Sequence, residues 1–116
     1  MAVIANNVEQ IIVRVKADRE AIGFALQDNA GDAEDMSGKT ATVSLIDVTD
    51  HSAHVSGEST SWTTQASGKG SWTPSVAAVG TVGTFAIYFI DDSTQPRRWP
   101  YDGAKLKLRV IDAGDE

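Results

Sequence analysis

The sequence predicts an all-β protein, a single-domain antiparallel β-sandwich. Short runs of alternating apolar and polar residues recur along the chain, and segments rich in Asp, Asn, Gly, Ser and Pro separate them. The alternation is typical of strands with one buried and one solvated face, and the intervening segments supply turns. No segment sustains a helical period, and a length of 116 residues fits one domain with its own core.

Five runs carry the clearest alternation and are the predicted strands. They lie at residues 9–16, 20–27, 40–47, 83–90 and 104–111. In the first run Ile11, Val13 and Val15 share the apolar face, opposite Arg14 and Ile12. The last run is the most regular, with three basic residues alternating with three apolar ones. The pattern predicts that each strand buries one face and leaves the other in solvent.

The middle of the chain, residues 48–74, is polar and rich in Ser, Thr and Gly. It contains two weaker strand candidates, at residues 59–65 and 69–74. Its length suits either a mobile hairpin or a connection that crosses between sheets. No linker composition marks a second domain within it.

We place the sandwich domain at residues 9–112, between an N-terminal arm of residues 1–8 and a C-terminal tail of residues 113–116. The start of the chain lacks a basic region followed by an apolar run, so we expect no signal peptide. No stretch approaches the ~20 apolar residues of a membrane-spanning helix. These features are typical of a protein made in the cytoplasm that does not bind membranes.

The net charge of −6 disfavours a nucleic-acid binder, because contacts to phosphates need a concentrated basic face. The same charge disfavours binding to anionic lipids. The chain has no cysteine, which excludes disulfides, thiol catalysis and cysteine-ligated zinc.

The sequence gives little support for a metal-binding site. His51 and His54 lack a convincing third ligand for zinc. In the acidic loop 28–35, counted from Asp28, the third position carries no oxygen ligand and Gly31 comes fourth, unlike an EF-hand. Another kind of calcium site in this loop stays open beside the interpretation as a tight turn. We expect no metal and no cofactor.

Motifs for catalysis are absent from the sequence, so we expect no enzyme. No serine lies in a G-x-S-x-G elbow, and no glycine-rich phosphate loop occurs. The adjacent carboxylates Asp91 and Asp92 would point to opposite faces of a strand.

Aromatic and basic side chains offer the remaining contact candidates. Trp62, Trp72 and Trp99 could stack on sugar rings or fill the core, and we expect Trp62 and Trp72 to be the exposed pair. Arg97 and Arg98, beside Trp99, could contact a protein partner or a glycan. As neighbours on one strand, the two arginines would point in opposite directions.

The segment around these arginines also has a structural interpretation, as a hairpin between the last two strands. Residues 91–95 would turn the chain, and Pro96 and Pro100 would end the pairing on either side. Trp99 would pack over the open end of the sandwich, and residues 101–103 would begin the final strand.

The order of these elements resembles the N-terminal domain of phage baseplate upper proteins. Residues 21–47 match the first half: a strand, an acidic loop, the motif Asp35-Met36-Ser37-Gly38 and an alternating strand. In the second half, residues 83–90 resemble the family's Gly-Thr-Tyr-type strand, residues 91–103 resemble its hairpin ending in an aromatic residue and a proline, and residues 104–110 resemble its last strand. The similarity covers about residues 9–112, and each motif is short.

This resemblance implies an immunoglobulin-like β-sandwich that serves as a virion component of a phage or prophage, in a tail, baseplate or head-fibre assembly. It implies contacts with other virion proteins and self-association, and it carries over no catalytic residue. The basic face of Lys105, Lys107 and Arg109 could meet an acidic partner or simply be solvated. A carbohydrate-binding or adhesin-like module that uses exposed tryptophans is the alternative.

Overall fold

Ten strands account for the fold over the residues that the structure describes. This structure is a computed structural model, and it describes residues 2–5, 9–28, 30–92, 97–99 and 105–112. The strands are β1 (Ala2–Ala5), β2 (Gln10–Val15), β3 (Ile22–Leu26), β4 (Ala41–Asp47), β5 (Ala53–Ser59), β6 (Ser61–Thr64), β7 (Lys69–Trp72), β8 (Gly83–Asp91), β9 (Arg98–Trp99) and β10 (Leu106–Ile111). One 3-10 turn, Gln65–Ser67, follows β6. None of the described residues forms a helix that could span a membrane.

The strands form two sheets. The smaller has the order β1-β3-β7-β6, and the larger has the order β2-β10-β8-β4-β5 with β9 also paired to β8. This arrangement is that of an immunoglobulin sandwich, in which β3, β7 and β6 take the places of strands B, E and D, and β10, β8, β4 and β5 those of G, F, C and C′. The antiparallel sandwich is confirmed, with β1–β3 and β2–β10 as two parallel pairs within it.

Each of the five predicted strands is present, and so are both weaker candidates, as β6 and β7. The middle region joins both sheets, because β5 extends the larger sheet while β6 and β7 belong to the smaller one. It is therefore a crossing connection rather than a separate hairpin. Within the expected N-terminal arm of residues 1–8, Ala2–Ala5 form β1 and pair with β3. Residues 113–116 lie outside the described residues.

The core lies between the sheets and consists of the inward side chains of both. Phe24 on β3 and Phe89 on β8 meet across it with ring centroids 4.4 Å apart. Antibody domains place their inter-sheet disulfide between the equivalent strands, B and F. In this chain, which lacks cysteine, an aromatic pair joins the two strands instead. Gly70 faces Phe24 on the paired strand, and a Cβ there would lie 2.9 Å from the Phe24 ring.

A hairpin follows β8, but it differs from the prediction in two respects: Asp91 is the last residue of β8 rather than part of the turn, and the strand that pairs back onto β8 is β9. The Asp91 amide donates to the Arg97 carbonyl over 3.1 Å, and the Arg97 amide donates to the Asp91 carboxylate over 2.8 Å. Trp99 then pairs with Phe89. The predicted roles of Pro96, Pro100 and residues 101–103 fall outside the described residues.

The orientation of β2 differs from the prediction. Ile12 and Arg14 point into the sandwich, whereas Ile11 and Val13 are 53% and 50% exposed. The parallel register explains this, because Ile12 pairs with Leu108 of β10, whose side chain is buried in the core. Alternation separated the two faces of β2 correctly, but the prediction that the face of Ile11, Val13 and Val15 is the buried one is wrong.

The inward Arg14 is accommodated by acidic residues in the turn that follows β2. Its guanidinium lies 3.6 Å from the Asp18 carboxylate and 3.4 Å from the Glu20 carboxylate. A charged group that is mostly buried needs such partners, since desolvation otherwise destabilises it. The turn therefore makes the observed orientation of β2 compatible with a charged inward residue.

Candidate interaction surface

The outer face of the larger sheet, which points away from the smaller sheet, combines basic and apolar side chains. On β10, Leu106, Leu108 and Val110 are fully buried, so Lys107 and Arg109 point outward between them. The predicted basic face of the last strand is confirmed by this alternation. We call this surface the outer face. Its outward residues on three strands are Ile11, Val13 and Val15 of β2, Lys107, Arg109 and Ile111 of β10, and Thr84, Ala86, Tyr88 and Ile90 of β8.

Strand register sets apolar and basic residues side by side on the outer face. Lys107 lies beside Ile11, and Arg109 lies beside Val13. The two β2 side chains are about half exposed, and Arg109 is exposed. This edge of the sheet thus offers apolar area next to positive charge, a mixture typical of protein–protein contacts.

Arg98 adds a further cation on this side of the sheet. Its guanidinium lies 4.5 Å from the centroid of the Tyr88 ring, over the ring face. The contact explains why Tyr88 is only 8% exposed although it points outward. Among the outward residues of β2, β8 and β10 that the structure describes, none is acidic, although the chain as a whole carries a net charge of −6.

Arg97 has a different role, because it joins the β8–β9 hairpin to the acidic loop. Its guanidinium donates to both carboxylate oxygens of Glu34, over 2.9 and 2.5 Å. It also lies 4.8 Å from the centroid of the Trp99 ring. A bidentate pair of this kind fixes geometry, so Arg97 is engaged within the chain.

The expectation that Trp62 and Trp72 form an exposed pair is wrong for Trp72. Its side chain is 1% exposed, and Trp99 is 2% exposed, so both rings belong to the core. Trp62 is half-buried, packs edge-on against Phe24 and donates its Nε1–H to the Lys39 carbonyl over 3.1 Å. Two of the three rings proposed for sugar stacking are therefore inaccessible in this structure.

Glu58 explains why a tryptophan in a polar segment is buried. The Trp72 Nε1–H donates to the Glu58 carboxylate over 2.9 Å, and the Ser75 amide donates to the same oxygen over 3.2 Å. The Ser75 hydroxyl donates to the second oxygen. Sequence reasoning did not identify Glu58, since it reaches Trp72 only through the pairing of β5 in the other sheet.

The two histidines do not form a site together. His51 is exposed in a turn with a positive φ of 60°, whereas the His54 ring stacks on Phe85 at 4.1 Å between centroids. His54 Nε2 lies 3.3 Å from the Ala78 carbonyl oxygen. Within the described part of the chain, no group of three or more acidic or histidine side chains is placed to hold a metal ion.

The acidic loop stabilises its own turns. The Asp28 carboxylate accepts hydrogen bonds from the amides of Ala30 and Asp32, each over 2.9 Å. Asp35 accepts from both the hydroxyl and the amide of Ser37, and these two bonds lower the pKa of the Asp35 carboxyl below its ordinary value. This geometry is that of Asx turns, which agrees with the interpretation of the loop as a tight connection.

The sheet order and the inter-sheet core define the chain as an immunoglobulin-like β-sandwich. Among solved structures, the chain is similar to one described as the N-terminal domain of phage TP901-1 ORF48, at 19% sequence identity with a TM-score of 0.68. The superposition covers 97% of this chain and 100% of that chain. No protein-family model matches the chain, and no curated protein matches it significantly. The comparison shows the same fold from end to end.

Proposed function

We propose that the chain is a non-enzymatic structural component of a phage or prophage particle, in its tail, baseplate or head-fibre assembly. The observation that supports this most is the end-to-end similarity in fold to the N-terminal domain of a phage protein. The order of sequence motifs supports it independently, because the strand, acidic loop, Asp35–Gly38 motif and hairpin follow the pattern of baseplate upper proteins.

The domain acts in this proposal through protein–protein contacts with other virion proteins and with further copies of itself. Lys107 and Arg109 on the outer face favour an acidic partner surface, and the neighbouring Ile11 and Val13 provide apolar area. Charge complementarity of this kind steers and orients partners, while burial of the apolar residues supplies affinity. The protein is made in the host cytoplasm and becomes part of the virion.

A glycan-binding role has no observation of its own in its favour. Trp72 and Trp99 are core residues, and the Nε1–H of Trp62 is already engaged by the Lys39 carbonyl. Titration of the protein with host-surface glycans, followed by tryptophan fluorescence, checks this alternative. A saturable shift that disappears in Trp62→Ala would support the glycan role.

Mass spectrometry of gradient-purified particles tests the structural role. We expect peptides of this chain to copurify with the particles in a fixed ratio to the major capsid protein. An abundant non-virion protein of the same lysate serves as the control for carry-over. If the chain stays with that control protein and is absent from intact particles, the proposed function is wrong.

A further inference from the structure

We propose that the free edge of β2 is a self-association surface, through which two copies of this chain pair β2 with β2 in antiparallel orientation. The inference rests on the self-association included in the proposed function and names its surface. The observation that leads to it is the exposure of Ile11 and Val13, at 53% and 50%, in the middle of an edge strand.

Backbone geometry leaves hydrogen-bonding groups of β2 facing outward. The amides of Gln10 and Lys16 donate to carbonyls next to or on β10, each over 2.8 Å. Backbone groups of successive residues point to opposite sides of a strand, so those of Ile11 and Val13 point away from β10. Since β2 is the last strand in the order of the larger sheet, these groups form an open edge as far as the described residues extend.

The other edges of the two sheets carry features that discourage pairing with a partner. Strand β5 has two register shifts against β4 and a glycine, Gly57, with a φ of 69°. Strand β6 has four residues and a register shift against β7, and β1 also has four residues. Bulges and short length are the usual protection of an edge strand. In contrast, β2 keeps one register over six residues.

The outward side-chain positions of the β2 edge are unprotected, and the one inward charge on the strand, Arg14, is paired with Asp18 and Glu20. Edge strands commonly carry an outward lysine, a proline or a bulge in the middle. The outward positions of β2 hold Ile11, Val13 and Val15, which are β-branched residues with a high preference for strands. Paired with a second copy, these side chains would meet other β-branched side chains across the junction, a favourable cross-strand combination.

Charge at the two ends of β2 favours a second copy in antiparallel orientation. Glu9 lies just before the strand and Lys16 lies just after it, and both are exposed. Antiparallel pairing about a twofold axis brings Glu9 of each copy to the end of the other strand that carries Lys16. Parallel pairing would place like charges together at both ends, which is unfavourable. The twofold contact is closed, so it produces a dimer rather than an open fibre.

A pair of double variants tests this surface. Ile11→Lys combined with Val13→Lys places like charges directly across the junction in the three antiparallel registers that pair these two positions with themselves or with each other. The control, Val76→Lys combined with Val82→Lys, makes the same change in net charge at valines that are 69% and 48% exposed outside β2. Sedimentation equilibrium of the wild type should show a monomer–dimer equilibrium. The β2 variant should weaken it about a hundredfold, while the control leaves it unchanged. Far-UV circular dichroism verifies that both variants are folded.

Amide hydrogen exchange of the wild type provides a measurement without substitution. Exchange at Ile11 and Val13 should slow as protein concentration rises, and exchange along β5 should not change. A wild-type chain that stays monomeric at millimolar concentration would contradict the proposal. So would a dimer in which exchange at Ile11 and Val13 is independent of concentration. Either result leaves the proposed virion role untouched, because particle composition is measured separately.

Discussion

The two buried tryptophans differ in one respect that predicts a difference in stability. Trp72 donates its Nε1–H to the Glu58 carboxylate over 2.9 Å, whereas no described residue accepts from the Nε1–H of Trp99. Substitution by phenylalanine removes a similar part of the ring at both sites, so the loss of apolar burial is comparable. Loss of the Nε1–H itself should lower the free energy of unfolding at Trp72, where a hydrogen bond is lost, and raise it at Trp99, where a buried unpaired donor is removed.

Trp72→Phe loses a hydrogen bond to a charged group, which contributes ~1.5–3 kcal/mol to stability. Trp99→Phe loses no such bond and removes a buried donor whose desolvation costs ~1–3 kcal/mol. We therefore expect Trp72→Phe to lower the free energy of unfolding by at least ~2 kcal/mol more than Trp99→Phe does.

Urea unfolding followed by far-UV circular dichroism measures the two free energies without relying on the substituted chromophores. Glu58→Gln is the matched test of the partner, because it keeps an acceptor oxygen and removes the charge. In that background the cost of Trp72→Phe should be smaller. Equal costs for the two tryptophan variants, or a larger cost for Trp99→Phe, would refute the account of this network.

Three further predictions concern packing and charge. Trp99→Ala should destabilise the fold by ~3 kcal/mol or more, measured by urea unfolding, because it leaves a large cavity in the core; a small effect would mean that Trp99 is not a core residue. Gly70→Ala should destabilise the fold in the same assay, since the new Cβ would lie 2.5 Å from the Ser61 carbonyl oxygen; an unchanged midpoint would contradict this close approach. The Ser52 hydroxyl and amide lower the pKa of the Asp50 carboxyl, so its contribution to stability is complete above about pH 4 and is lost as the pH falls through the lowered value. An NMR titration should show this pKa rising towards its ordinary range in Ser52→Ala, and no rise would refute the assigned cause.

Alternation predicted the strands that dominate the core, but it assigned the wrong buried face to the edge strand β2 and did not predict the edge strand β5. In β10, the apolar side chains Leu106, Leu108 and Val110 leave no ambiguity about the buried face. In β2, both faces contain isoleucine, so the choice depends on the parallel register with β10. Such long-range pairing cannot be derived from a local pattern.

The local sequence pattern also did not predict which individual side chains are buried. Trp72 lies in a polar segment, and its burial depends on Glu58, which β5 supplies from the other sheet. Strand β5 itself was not predicted, because most of its residues are polar and only Val55 packs against the core. The basic side of the candidate surface was predictable from β10, whereas its apolar side required the structure.

Immunogold electron microscopy of purified particles tests the central claim, that this sandwich is a structural part of a virion, most directly. An antibody raised against the folded domain should label one defined location on intact particles, with more than one gold particle per virion. Particles carrying an in-frame deletion of the coding region provide the control for specificity. Labelling no stronger than on the deletion particles, with the protein retained in the particle-free lysate, would contradict the account.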